Sequence, residues 1–203
     1  MTKVQTRPKP SAKREAILDA AQVLFLSEGY AATSMDAVAA AAGVSKATIY
    51  AHFEGKDQLF GAIMSRRCEA SFVFAPPDED ADAVRTFTVY AERLLRLLTT
   101  PEALALYRVV VAESARTPEL ARTFYENGPV RGRESIVASA VRLQQRGELV
   151  ADVDPAVIAD QFIGMLWAEA YHRDLLGLPP GDRSHDGTIA AAVGTLTRAY
   201  GKR

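Results

Sequence analysis

The chain has 203 residues and a mass of 22.0 kDa, enough for one or two compact domains, and at 48% hydrophobic it can build a core. With 24 Lys and Arg against 25 Asp and Glu, the formal charge of -1 excludes a uniformly basic nucleic-acid coat, so any polyanion must be met by a local patch. No apolar run approaches the roughly 20 residues that cross a bilayer. The opening MTKVQTRPKPSAKRE lacks the apolar core of a signal peptide, and Cys68 is the sole cysteine, so a soluble protein of the reducing cytoplasm, without a membrane partner, is expected.

Charge is unevenly spread. Residues 1–10 read as a flexible basic arm with Lys3, Arg7 and Lys9, and Lys13 and Arg14 follow closely with no acid between them. Through Arg67 there are nine basic and six acidic residues, a balance of +3; the remainder holds fifteen and nineteen, a balance of -4. Two parts with different partners are expected.

The first helix is expected over residues 11–28, where Ile17, Ala21, Leu24 and Phe25 share a stripe and Gly29 can end it. Thr33-Ser34 supplies hydroxyls to start a short alanine-rich second helix that ends at Gly43. Ser45 can cap a third helix through Phe53, and a fourth, after Glu54-Gly55, carries Leu59, Phe60, Ile63 and Met64 on one face. Ala75-Pro76-Pro77 and the acidic run Asp78 to Asp82 stop one helix and suit the start of the next, which places a compositional seam there. Beyond it helices are expected over 80–98, 101–114, 118–145 with a break near Gly128-Pro129, 155–176 and 185–200. No stretch alternates long enough for a sheet. The fold class is therefore all-α: an N-terminal three-helix helix-turn-helix domain over 11–60, joined to a C-terminal helical bundle over 61–203.

Residues 34–53 have the size and punctuation of a helix-turn-helix, and the chemistry of the second helix matters most. Val44, Ile49 and Phe53 fall inward, while Lys46, Ala47, Thr48, Tyr50 and His52 stay on or beside the outer face. Lys46 offers a cation to phosphate or guanine edges, small Ala47 and Ala51 allow close approach, and hydroxyls and imidazole offer further hydrogen bonds. Helix starts near Thr33, Ser34 and Lys56 add backbone anion sites. The same spacing occurs in plain helical hairpins, so spacing alone leaves both readings open.

The run from Ala31 to Phe60, AATSMDAVAAAAGVSKATIYAHFEGKDQLF, closely resembles the DNA-binding region of TetR-type transcriptional regulators. Tyr107 to Leu120, with Phe124 to Pro129, resembles the C-terminal domain of the AefR-like branch of that family. The resemblance implies that Thr33 and Ser34 contact phosphate, that Ser45, Lys46, Ala47, Thr48, Tyr50 and His52 form the recognition surface, and that Lys56 clamps the DNA backbone. Two positions depart from it: Ala51 stands where many relatives have a polar base-reading side chain, and Gly55 replaces the usual polar cap. The basic arm either tracks an adjacent groove or only solubilises the chain.

Features that suggest enzyme chemistry are incomplete. Glu169-Ala170-Tyr171-His172 has the Glu-x-x-His spacing of a bundle iron site, but no second copy exists. The Asp78 to Asp82 run begins like a calcium loop, yet Ala83 and Val89 replace its Gly and Glu. No phosphate loop, nucleophile elbow or paired-cysteine motif occurs, so no catalytic residue, metal or cofactor is expected. Cys68 reads as a core filler.

The C-terminal bundle carries many aromatics. Phe87, Tyr90, Tyr107, Phe124, Trp167 and Tyr171 are the expected walls of a pocket for a small apolar or aromatic effector, with Phe72, Phe74 and Tyr125 also available. Ordinary core packing competes at each of them. Phe162, Met165, Leu166, Ile189, Val193 and Leu196 are expected to form a homodimer interface, as the resemblance implies, with Gly164, Ala168, Ala191, Ala192 and Gly194 permitting close approach; completing the monomer core is the alternative. Together these features suggest a ligand-responsive repressor that binds a palindromic double-stranded DNA operator as a homodimer. A helical small-molecule-binding or scaffolding protein without DNA binding is the other reading.

Overall fold

Short polar side chains set the helix starts. In the computed structural model, which describes residues 12–70, 75, 77–78, 80–182 and 184–202, α1 spans Ala12–Ser27, α2 Met35–Ala41, α3 Lys46–His52 and α4 Lys56–Ala70. Ser34 and Ser45 cap α2 and α3 by accepting from the amides of Ala37 and Thr48, both at 3.1 Å. Gly43, between these helices, has φ of +64°, a left-handed conformation that glycine adopts without strain. The amide of Val44 then bonds back to the Ala39 carbonyl, closing the link.

The body follows as α5 (Ala83–Leu98), α6 (Pro101–Glu113), α7 (Pro118–Tyr125), a π-helical turn (Glu126–Val130), α8 (Arg131–Gln145), α9 (Pro155–Leu166), α10 (Glu169–Leu176) and α11 (His185–Tyr200). Asp82, Thr100, Asp154 and Ser184 cap four of these through side-chain acceptors. The expected break near Gly128-Pro129 is the π turn, where proline leaves a gap in the amide ladder. The helix expected over 155–176 is two helices instead, because the backbone turns at Trp167 and Ala168. Among the described residues there is no strand, only an isolated bridge between Leu149 and Gly201.

Two apolar clusters form the core. The first joins Leu18, Phe25, Tyr30, Val38, Ile49 and Phe60 of the head to Leu106, Val110 and Leu120 of α6 and α7. Packing therefore crosses both residue 60 and the proline seam. Gly61 lets α4 approach α7: a Cβ there would stand 3.0 Å from the Thr123 methyl and 3.3 Å from the Asn127 amide. Arg66 ties α4 to α1 through Glu15 at 3.0 Å and Asp19 at 2.7 Å.

The second cluster packs α5, α8, α9 and α11 around Phe87, Ile136, Leu143, Phe162 and Leu196. Phe162, Leu166, Ile189, Val193 and Leu196, expected at a dimer interface, are buried inside this monomer core, and Met165 is half-buried against it. The bulky stripes of α9 and α11 must cover α5 and α8, which turns Val157, Gln161, Gly164, Ala190, Ala191 and Thr195 outward instead. Ala192, expected to permit close approach between copies, is also buried here.

Phe162 is fully buried with its ring 4.9 Å from that of Phe87. Phe162→Ala is expected to lower the free energy of unfolding by about 3–5 kcal/mol in denaturant titration. A loss below about 1 kcal/mol would mark the site as surface rather than core.

Candidate nucleic-acid interface and apolar cavity

The short α3 buries Ile49 against the head core and leaves Ser45, Lys46, Ala47, Tyr50, Ala51 and His52 exposed, with Thr48 half-buried. Tyr50 is 46% exposed, an unusual placement for a large ring outside a core. The Ser45 and Thr48 hydroxyls are 2.8 Å apart. Lys46 reaches back across the turn to Asp36 at 2.8 Å, and that carboxylate holds the ammonium above the usual lysine range. Both groups are solvent-exposed, so the pair is easily exchanged for a stronger anion.

Two residues expected on this surface face inward. Thr33 is 2% exposed and its hydroxyl donates to the Gly29 carbonyl at 2.8 Å. Lys56 directs its ammonium to the carbonyls of Tyr30, Ala31 and Thr33. The link between α1 and α2 needs its carbonyls satisfied, and these side chains satisfy them. Of the expected basic arm, Lys3, Arg7 and Lys9 lie outside the described residues; Lys13 and Arg14 belong to α1, where the Arg14 guanidinium stacks over Phe53 at 5.4 Å.

A cavity of about 320 Å³ opens in the body, within the size range of small-molecule sites. Tyr90, Tyr107, Phe124, Trp167 and Tyr171 line it, as does Tyr125. Phe87 does not, because its ring is spent on Phe162 in the core. Phe72 and Phe74 lie outside the described residues. The turn at Trp167 sets its ring 6.0 Å from Tyr107 and 4.8 Å from Tyr171, so that an unbroken helix is exchanged for an aromatic wall. Leu94, Leu97, Leu98, Ile136 and Ile163 make the remaining walls aliphatic. Tyr90 is anchored from outside, its hydroxyl lying 2.9 Å from Ser139 and 2.8 Å from Ser135.

Polar groups stand at the cavity's margins. Arg67 donates to the Thr100 hydroxyl at 2.9 Å, and Arg133 makes a two-pronged pair with Asp160 at 2.5 and 2.9 Å. Burial pushes the Cys68 thiol up to about 11 and the Tyr171 phenol up to about 12, so both stay neutral near pH 7. Cys68 is thus part of the cavity wall as well as a filler, and burial disfavours its thiolate. Met64, Arg67, Arg133 and Asp160 carry no sequence signal for this role. They converge from helices distant in sequence. His172 hydrogen-bonds within its own helix region, its Nδ1 lying 3.0 Å from the Ala168 carbonyl.

A capped helix pair exposing a lysine-led, small-residue face, set on a helical body that encloses an apolar cavity, has the architecture of a helix-turn-helix DNA-binding protein. Residues 17–63 match the family described as bacterial regulatory proteins, tetR family, and residues 85–202 match the AefR-like transcriptional repressor C-terminal domain. The chain belongs to the TetR family of transcriptional regulators and is a DNA-binding regulator with an AefR-like C-terminal domain. It is 29% identical to the transcriptional regulator UidR of Escherichia coli K12 over 160 residues, 77% of this chain and 78% of that one. Its fold matches that of the flavonoid-responsive regulator FrrA with a TM-score of 0.77 and 32% identity, covering 94% and 98% of the two chains. A TetR-family regulator from Mesorhizobium loti MAFF303099 matches with a TM-score of 0.77 and 29% identity, covering 94% and 97%.

Asp36 holds Lys46 at 2.8 Å, so an anion that engages Lys46 must displace this carboxylate. Asp36→Asn is therefore expected to strengthen DNA binding several-fold and to steepen its dependence on salt while leaving the thermal unfolding midpoint essentially in place. Weaker binding by a folded Asp36→Asn variant would show that the carboxylate orients Lys46 for DNA rather than competing.

Proposed function

We propose that the chain is a homodimeric repressor of the cytoplasm that holds a palindromic operator and releases it when a small, apolar aromatic molecule fills the body cavity. The carrying observation is the double membership of Met64 and Leu106, which sit in the head's apolar cluster and in the cavity wall at once. A ligand that displaces either side chain must disturb the packing that orients α1 to α4. Tight interiors transmit such a shift rather than absorbing it.

On the DNA side, Ser34, Ser45, Lys46, Ala47, Thr48, Tyr50 and His52 form the reading surface. The two serines and the helix starts they cap suit phosphate, Lys46 suits phosphate or guanine, and Ala47 lets the backbone of α3 approach base edges. Two heads on a two-fold axis would read half-sites about 34 Å apart. A small rotation that spoils this spacing would lower affinity by about 1–3 kcal/mol, the usual scale of coupling between sites.

The dimer would form through the outward faces of α9 and α11, where Gly164, Ala191 and Gly194 leave room for close helix contact. The aromatic wall supports an aromatic effector, and the name of FrrA, which is flavonoid-responsive, supports the same chemistry. The exposed Arg133 and Asp160 pair lies at the cavity margin, where its parting would widen access.

The test begins with a duplex selected by the wild-type protein from random sequence. Lys46→Ala combined with Tyr50→Phe is expected to weaken binding to it without unfolding the protein, and unchanged binding would remove α3 from the interface. Trp167, the chain's one tryptophan, reports the cavity directly. A flavonoid panel is expected to include members that quench Trp167 emission and release the duplex together. Ala103→Phe, which fills the cavity from α6, should bind the duplex yet lose both responses; release that persists in this variant would place the effector elsewhere.

A further inference from the structure

Residues 118–145 have the length of one continuous helix, yet the π turn Glu126–Val130 divides them into α7 and α8. The division falls between the two cores. Leu120 of α7 is packed into the head cluster, whereas Ile136, Ala140 and Leu143 of α8 belong to the body cluster. The backbone between them is loosely bonded. Pro129 brings no amide, and the Arg131 amide turns to the Gly128 carbonyl, a shorter step than an α-helix makes. Single π turns of this kind inside α-helices are rare and recur at functional sites.

The cavity and α4 both lie against this turn. Phe124, Tyr125, Gly128 and Pro129 form part of the cavity wall, while Asn127 stands outside it and is half-buried. Ser65 Oγ of α4 donates to Asn127 Oδ1 at 3.2 Å, and Asn127 Nδ2 donates to the Thr123 carbonyl at 2.8 Å. One side chain thus ties α4 to the last turn of α7. Packing is close on either side of it: a Cβ at Gly61 would meet the Thr123 methyl at 3.0 Å, and one at Gly128 would stand 3.9 Å from the terminal methyl of Met64.

We propose that the π turn is the joint through which the contents of the cavity shift α4, and that Asn127 is the positioning residue that carries the shift across to Ser65. This rests on the reading of the cavity as the effector site. Close-packed interiors move as units, so a displacement is taken up where two of them meet and the backbone is least firmly bonded. The Asn127 amide suits the part because it grips both elements, its oxygen accepting from α4 and its nitrogen satisfying a carbonyl of α7. Alanine there removes both bonds and leaves the backbone of the turn unchanged.

The full-length protein alone provides the first test, by amide hydrogen exchange without duplex or effector. The amides of Gly128, Val130 and Arg131 are expected to exchange at least about tenfold faster than those of Phe124 and of Ile136 to Leu143. Pro129→Ala supplies the missing amide; it should slow the turn about tenfold and alter protection in α4 between Gly61 and Ser65 by about threefold or more. With Asn127→Ala also present, the first effect should remain and the second should vanish. Ser65→Ala removes the same bond from the other side and should act alike; it decides if Asn127→Ala does not fold. The proposal is overturned by turn amides as protected as their neighbours, by an α4 that ignores Pro129→Ala, or by an α4 response that survives loss of the Ser65 bond.

A second test uses the flavonoid of the panel that quenches Trp167 most strongly. Asn127→Ala should bind this flavonoid and the selected duplex each within about twofold of wild type, while the flavonoid's weakening of duplex binding shrinks by at least about fivefold. Full release by this variant overturns the role of Asn127. If no flavonoid quenches Trp167, the aromatic-effector reading falls, and amide exchange decides the joint by itself.

Discussion

The head does not close its own core. Its second and third helices are short, and the apolar surface of Phe25, Tyr30, Ile49 and Phe60 is completed by Leu106, Val110 and Leu120 from the body. A unit of this size buries too little surface to be firmly stable alone. Borrowed side chains resolve that shortage and impose a constraint: the orientation of α3 depends on α6 and α7. These helices also contribute Leu106, Tyr107 and Phe124 to the cavity wall. Stability of the head and the shape of the cavity are therefore set by the same packing.

Helix α4 carries the constraint in both directions. One end holds the α1–α2 link through Lys56, and the other offers Met64, Arg67 and Cys68 to the cavity. Gly61 between them permits the close contact with α7 that keeps the helix from sliding freely. With the Lys56 ammonium committed to carbonyls, the outer face of α3 is sparsely charged: it carries Lys46, hydroxyls, Tyr50 and small residues. The net charge of -1 is then a division between a basic head and an acidic body, which disfavours indiscriminate coating of DNA.

Local signals made much of this legible. Ser34, Ser45, Asp154 and Gly43 mark helix ends by side-chain chemistry or backbone freedom alone, and the structure uses each of them so. The outward placement of Lys46 and Tyr50 followed from helical period. Five of six expected wall aromatics meet at one cavity, because aromatics beyond the needs of a small core tend to collect where a bundle opens.

What remained hidden depends on tertiary choice. Nothing local breaks the chain at Trp167, where there is neither proline nor glycine; the aromatic contacts to Tyr107 and Tyr171 favour the turn. Periodicity showed that Phe162, Leu166 and Val193 share apolar stripes, yet a stripe looks the same whether it covers the monomer's own helices or a second copy. Lys56 and Thr33 read as surface groups because nothing in the sequence shows three carbonyls converging nearby.

The shared core is tested most directly by unfolding the protein in denaturant while following both ends together. Trp167 emission reports the body and amide exchange in α2 and α3 reports the head. One coincident transition is expected. A head that loses protection at distinctly lower denaturant, with Trp167 emission still native, would contradict a core common to DNA surface and cavity.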